Sequence, residues 1–122
     1  MHSSVLNVTF DCSNAASQAR FWSSALACSS TKEDMPGNPF WVVGDRDGNG
    51  VRLVFVEVPE NKTAKNRTHL DLVPQGGSQG DEVARLEALG ARIEDDRRGM
   101  EPGGWVVMTD PEGNEFCLEP GD

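Results

Sequence analysis

Short runs of alternating apolar and polar residues recur along the chain, and they recur in matched pairs. Residues 5–10, VLNVTF, put Leu6, Val8 and Phe10 on one side of an extended segment and Asn7 and Thr9 on the other. Residues 69–73, HLDLV, repeat this with Leu70 and Leu72 opposed to His69 and Asp71. Residues 41–55, WVVGDRDGNGVRLVF, and residues 105–119, WVVMTDPEGNEFCLE, share a longer pattern: Trp-Val-Val, a turn-forming stretch, then a second alternating run. The turns DRDGNG and DPEGNE supply residues tolerant of positive φ, and Pro111 presets its own φ, so each stretch predicts a hairpin. Trp41 matches Trp105, and Gly48-Asn49 matches Gly113-Asn114, at an offset of 64 to 65 positions.

Between each first strand and its hairpin the period changes to that of a helix. Ala15, Ala19, Trp22 and Leu26 recur at helical spacing, with Ser13 or Asn14 available as the cap. Later, Ser78 and Asp81 resemble a capping box, Val83, Leu86 and Leu89 form the apolar stripe, and Gly90 suits the stop. A short strand is predicted after each helix, near residues 27–31 and 91–96; the first of these is polar. The order strand, helix, strand, strand, strand is thus written twice, which predicts an α+β chain of two tandem βαβββ modules. The modules span residues 4–58 and 69–120 of one domain covering 1–122. PENKTAKNRT, residues 59–68, is the linker: polar, with a proline and without apolar periodicity. The alternative is chance similarity between two tryptophan hairpins in an unrelated α+β domain.

Composition narrows the functional classes. A chain of 122 residues can bury a core unaided. No run approaches the roughly 20 apolar residues of a membrane span, and the N-terminus lacks an export signal, so no membrane association is predicted. The net charge of −9, with dispersed basic residues, argues against nucleic acid. Cys12, Cys28 and Cys117 cannot all pair and show no CxxC spacing, which predicts a reducing, cytoplasmic setting.

The alternation also assigns faces. Leu6, Val8, Phe10, Leu70, Leu72, Phe116 and Leu118 belong against the helices. The opposite faces then display Asn7, Thr9, His69, Asp71, Glu115, Cys117 and Glu119, joined by Arg52 and Val54 if Leu53 and Phe55 face the helix. Two such faces curled into one barrel-like, eight-stranded sheet with helices outside would enclose a polar-lined cup, a shape suited to a small organic ligand.

The duplicated unit, closed by DPEGNEFCLE, resembles the vicinal-oxygen-chelate superfamily, which holds glyoxalase I, extradiol dioxygenases, and bleomycin- and fosfomycin-resistance proteins. FDCSNAASQARFW, AKNRTHLDL and WVVMTDPEGNEFCL are similar to the glyoxalase-like domains common in bacterial genomes. The resemblance spans nearly the whole chain and implies a homodimer. It also implies a divalent ion held by His, Gln or Glu from the first and last strands of the modules. Those positions fall here on Asn7, His69, Arg52 (Val54 in a shifted register) and Cys117, and only His69 matches. No metal is therefore expected. A set of His69, Cys117 and Glu119, or one with Asp71, would suit zinc, and iron or nickel are the other candidates. His69 and Asp71 lie about 6.6 Å apart along one strand at about 3.3 Å per residue.

Each candidate has two readings. His69 is either a structural histidine bonded to a neighbour or a ligand-contacting group. Cys117 reads as packing ahead of nucleophile, since no basic residue adjoins it in sequence. Trp22, Trp41 and Trp105 read as core, with Trp105 taken as bordering the cup. Lys62, Lys65 and Arg67 are a solvated linker, or Lys65 or Arg67 reaches over to an anionic ligand. Two functions compete. One is a metal-independent lyase or isomerase acting on a carbonyl-type metabolite, with His69 as acid/base, Asp71 or Asn7 orienting it and Arg52 stabilising the oxyanion. The other is a bleomycin-resistance-like binding protein that sequesters a drug or metabolite. Asn7, Thr9, Val54, Cys117, Glu119 and Trp105 line the ligand in either case. A divergent metal-dependent lyase or dioxygenase stays open beside them.

Overall fold

Both helices start where a short polar side chain can accept an orphan backbone N–H. Asn14 Oδ1 accepts from Ser17 N at 3.0 Å, and Ser78 Oγ accepts from Asp81 N at 3.0 Å. In the computed structural model, which describes residues 1–35, 38–44, 50–100 and 103–121, the elements run β1 (Asn7–Cys12), α1 (Ala15–Leu26), β2 (Ser30–Met35), β3 (Asn38–Val43) and β4 (Arg52–Glu57). They continue as β5 (Leu70–Leu72), α2 (Gln79–Leu89), β6 (Arg92–Asp96), β7 (Val106–Thr109) and β8 (Glu115–Leu118). The fold is α+β, with the βαβββ order occurring twice. The eight strands pair as two four-stranded sheets, β1-β4-β3-β2 and β5-β8-β7-β6. The chain divides into compact units Met1–Asn61 and Lys62–Asp122, so the break falls inside the stretch 59–68.

In the first unit β1 runs parallel to β4 and pairs Asn7 with Arg52, Val8 with Leu53, Thr9 with Val54 and Phe10 with Phe55. Phe10 stacks on Phe55 and on Trp22 of α1, at centroid distances of 5.3 and 6.2 Å. That contact sets the faces: Phe10, Phe55 and Val8 look toward α1, and Asn7, Thr9, Arg52 and Val54 look away. Ala15, Ala19, Phe21, Trp22 and Ala25 are the buried apolar side of α1. Helix α1 ends on Ala27 at φ 52°, a left-handed position where glycine is the usual choice.

The second unit repeats the plan. Parallel β5 and β8 pair Leu70 with Phe116, Asp71 with Cys117 and Leu72 with Leu118. Antiparallel β7 extends the same rows, pairing Met108 with Phe116, Val106 with Leu118 and Val107 with Cys117. Phe116, Leu118, Val106 and Met108, together with Val83 and Leu86 of α2, are almost fully buried and make this core. Helix α2 stops at Gly90, φ 118°, whose N–H reaches back to Glu87 and Leu86 carbonyls.

Several expectations shift. Leu6, assigned to the core, precedes β1 and is 59% exposed, because the parallel ladder begins only at Asn7 and Arg52. The first strand therefore runs two residues later than its alternation suggests. The polar second strand occupies Ser30–Met35 rather than 27–31, held by antiparallel pairing with β3. β5 is only three residues long, so His69 and Val73 flank it. The first hairpin turn, expected over residues 45–50, lies outside the described residues except for Gly50. Its counterpart in the second unit is described in full: the buried Asp110 carboxylate accepts from Glu112 N, Asn114 N and Asn114 Nδ2, and Asp110 N donates to Asn114 O. Gly113 takes φ 87° at its tip.

Candidate functional site

Parallel register, not sequence proximity, assembles the chemistry of the second unit. Asp71 on β5 lies directly opposite Cys117 on β8, and His69 stands two residues before Asp71, on the same side by the two-residue period. His69 Nδ1 comes within 3.1 Å of Asp71 Oδ1. Ligand-type atoms of His69, Asp71 and Cys117 all lie within 4.8 Å of one another. Imidazole and carboxylate are open to solvent, with side-chain exposures of 43% and 56%, whereas the thiol behind them is buried.

The electrostatics separate the three groups. Burial pushes the Cys117 thiol above its ordinary value, and the negative charges of Asp71 and Glu119 and a hydrogen bond with Asp71 add to that rise. The charge of Lys65 works in the opposite direction. The thiol is therefore a protonated, poorly nucleophilic group at neutral pH, in keeping with its reading as a packing residue. Lys65 belongs to the surroundings of this face, whereas the sequence left it either in a solvated linker or over a ligand.

Glu115, two residues before Cys117, is tied down. Its carboxylate accepts from Lys62 Nζ at 3.1 Å and from Asn66 N at 2.9 Å. Burial works to raise this carboxyl, but the Asn66 and Glu115 backbone N–H groups and Lys62 outweigh it and hold the group below the usual range. Asn66 Nδ2 also donates to Asn114 Oδ1 at 3.3 Å. Lys62 and Asn66 are thus bonded to Glu115, while residues 62–65 stay exposed. No local signal in PENKTAKNRT announces this, since the partners lie about fifty residues away.

The remaining candidates fall as follows. Arg52 Nε donates to Asn7 Oδ1 at 3.0 Å across the parallel β1–β4 pair, with Thr9 and the buried Val54 next along the same face of the first unit. Glu119 is half-buried, and its backbone N–H bonds Leu72 O at 2.8 Å. Its carboxylate is not part of the close donor group, where Asp71 stands instead. Trp105 is half-buried, with the Arg97 guanidinium 5.7 Å from its ring centroid; the sequence reading overlooked this arginine.

The donor set passes a test of fit for a metal ion. Imidazole nitrogen, carboxylate oxygen and thiolate sulfur are the usual zinc ligands, and tetrahedral coordination spaces ligand atoms about 3.5 Å apart. Of the two carboxylates that the sequence offered beside His69 and Cys117, the register brings Asp71 and not Glu119 into the close donor group.

The comparisons with known proteins bear on this arrangement. The model of the glyoxalase-like domain family matches residues 7–119. The chain belongs to this family. That places it in the vicinal-oxygen-chelate superfamily. A search of curated proteins returned no match. Among solved structures, the glyoxalase-like chain is similar to the fosfomycin resistance protein FosX from Listeria monocytogenes, with TM-score 0.74 and 15% identity over 100% of this chain and 96% of that one. The same Listeria protein has been solved complexed with Mn(II) and sulfate ion. FosX from Mesorhizobium loti gives TM-score 0.73 at 12% identity, over 98% and 92% of the two chains. The trypanothione-dependent glyoxalase I of Leishmania major gives 0.68 at 14%, over 97% and 86%. At these identities the likeness concerns the fold. Among the described residues, no helix is long and apolar enough to cross a membrane.

Proposed function

We propose that this glyoxalase-like protein is a lyase or isomerase acting on a small carbonyl-type metabolite, with His69 moving the proton. The observation that carries the reading is the 3.1 Å approach of His69 Nδ1 to Asp71 Oδ1. A carboxylate at Nδ1 favours the tautomer protonated there and leaves Nε2 as the free base. Asp71 therefore orients the imidazole and stabilises its charged form after it takes a proton from carbon next to a carbonyl. Returning that proton to the former carbonyl carbon of the enediol isomerises an α-hydroxy carbonyl substrate; where the β-carbon bears a leaving group, the α-carbanion's electron pair instead forms a C=C bond as that group departs, and the step is a lyase reaction. Cys117, kept protonated, contributes shape and not attack. Asn7, Thr9, Arg52 and Val54 are assigned to ligand contact on the corresponding face of the first unit, and Glu119 and Trp105 on the second. The active form is assigned as a homodimer, an assignment that fails if sedimentation at micromolar concentration finds only monomer.

The test is proton exchange. Chelator-treated protein is incubated in heavy water with enolisable α-hydroxy ketones, hydroxyacetone first, and loss of the α C–H signal is followed by NMR. The wild type is expected to catalyse exchange, and His69→Gln to slow it by about 10²–10⁴ with ligand affinity retained. Absence of exchange with every compound in the panel defeats the reading.

A second reading, a protein that sequesters a drug or metabolite without turnover, is favoured by one observation. The imidazole and carboxylate are both substantially open to water, and catalytic groups are more often desolvated. His69→Ala separates the two: loss of affinity without any measurable turnover in the parent supports sequestration.

A further inference from the structure

We propose that Arg52, aimed by Asn7, binds the carboxylate of an anionic ligand on the sheet of the first unit. Arg52 Nε donates to Asn7 Oδ1 at 3.0 Å, and the two residues are register partners on the parallel β1–β4 pair. Arg85, Arg97 and Arg98 each hold a carboxylate. Arg52 instead holds a neutral amide and, among the described residues, pairs with no Asp or Glu. The amide oxygen fixes the direction of the guanidinium without neutralising it; an aspartate at position 7 would do both. With Nε engaged, the two Nη groups remain for a planar acceptor with two oxygens, which is the shape of a carboxylate.

The surroundings suit a small organic acid. Along the same face Thr9 pairs with Val54 and Val54 with Val42, and both valines are buried while Arg52 and Asn7 are half-buried. An apolar wall beside a partly desolvated charge strengthens its pairing with a ligand. On the flank away from Asn7, Gly44 lies against Arg52 without a side chain; a Cβ there would stand 3.6 Å from Arg52 Cγ. The acidic groups that the register puts on this face, Asp11 and Glu33, fall in the row of Val56. That row is four residues along β4 from Arg52, about 13 Å at about 3.3 Å per residue, and too far for direct pairing. In this role Arg52 meets a charge already present on the ligand, not one that develops during reaction. The proposal rests on the reading of this face as ligand-contacting; joined to the proton-transfer reading, it names the substrate class as a 2-oxo acid.

The experiment uses isotope-labelled full-length protein and three probes: pyruvate, hydroxyacetone and inorganic phosphate. Pyruvate and hydroxyacetone are ketones of similar size that differ in a carboxylate against a hydroxymethyl group, and phosphate is a tetrahedral anion. Each is titrated at constant ionic strength while the amide signals of β1 and β4 are followed by NMR. The wild type is expected to bind pyruvate at least about 10-fold more tightly than either other probe. Arg52→Gln removes the charge, and Asn7→Asp pairs it internally while keeping the bond to Nε; each should abolish the preference. Arg85→Gln changes an arginine of α2 and should leave it intact. The proposal is overturned if folded wild-type protein binds pyruvate no more tightly than hydroxyacetone, absence of binding included. It is equally overturned by a preference that survives in Arg52→Gln or Asn7→Asp, or by phosphate binding as tightly as pyruvate. Exchange of the pyruvate methyl protons in heavy water reads the proton-transfer step separately. Exchange without the preference defeats the anchor alone, and the preference without exchange supports the anchor and counts only against proton transfer.

Discussion

Replacing Asp110 by alanine tests whether the DPEGN turn is held by its charge or merely by its backbone preferences. The carboxylate is only 3% exposed and accepts from Glu112 N at 2.9 Å, Asn114 N at 3.0 Å and Asn114 Nδ2 at 3.0 Å. Hydrogen bonds to a charged group contribute about 1.5–3 kcal/mol each, so three give a ceiling of about 4.5–9 kcal/mol. Two effects reduce it. Glu112 is half-buried, so water can replace one bond, and the buried carboxylate no longer has to be desolvated once it is removed. The expected loss is about 3–4 kcal/mol. Urea denaturation followed by circular dichroism measures it, with amide exchange at Asn114 as the local readout. Asp110→Asn keeps one acceptor oxygen and turns an NH2 toward the Asn114 donor, so its loss should fall short of the alanine variant's but exceed 1 kcal/mol. A loss below about 1 kcal/mol in Asp110→Ala, or unchanged exchange at Asn114, would refute the reasoning.

Ala27→Gly should stabilise the protein by about 0.5–1 kcal/mol: the left-handed position at φ 52° costs alanine about 1–2 kcal/mol, and the greater freedom of glycine in the unfolded chain offsets part of the gain. A lowered urea midpoint would contradict it. Gly104→Ala should be severely destabilising, by more than about 3 kcal/mol or to insolubility, because its Cβ would stand 1.7 Å from Arg97 O; wild-type stability of the variant would contradict it. The Arg98 side chain and backbone hold the Asp96 carboxyl down to about 2. Its favourable charge is therefore present above the ordinary carboxylate range and lost as pH falls from there toward 2. An NMR titration should place its midpoint near 2 in the wild type and back toward the ordinary carboxyl value of 3.8 in Arg98→Ala.

The elements that were legible in the chain are those whose signals are local. Alternation at residues 5–10 and 69–73 assigned Asn7, Thr9, His69 and Asp71 to faces opposite Val8, Phe10, Leu70 and Leu72, and the ladder registers agree with it. Asn14, Ser78 and Gly90 act as the caps and stop that their chemistry suggests. Where the signal depended on a distant partner, the reading drifted. Leu6 looks like core by its period, but the strand beside it begins too late to shelter it. Glu115 is in the sequence one more polar group of its face, yet Lys62 and Asn66 return from the linker to bind it.

By itself the sequence determined the duplicated α+β order, the helix boundaries to within a residue or two, the chemistry of the second hairpin turn and the side of each sheet that carries polar groups. All of these follow from periods of two and 3.6 residues and from side chains that bond their own neighbourhood. The tertiary structure alone decided which polar groups meet. Asp71, Cys117 and His69 become a single cluster because β5 pairs with β8 in one particular register. A shift of that register by one residue would turn Asp71 toward Phe116 and scatter the donors. Strand pairing is a long-range choice set by the packing of whole modules, and no stretch of a dozen residues contains it.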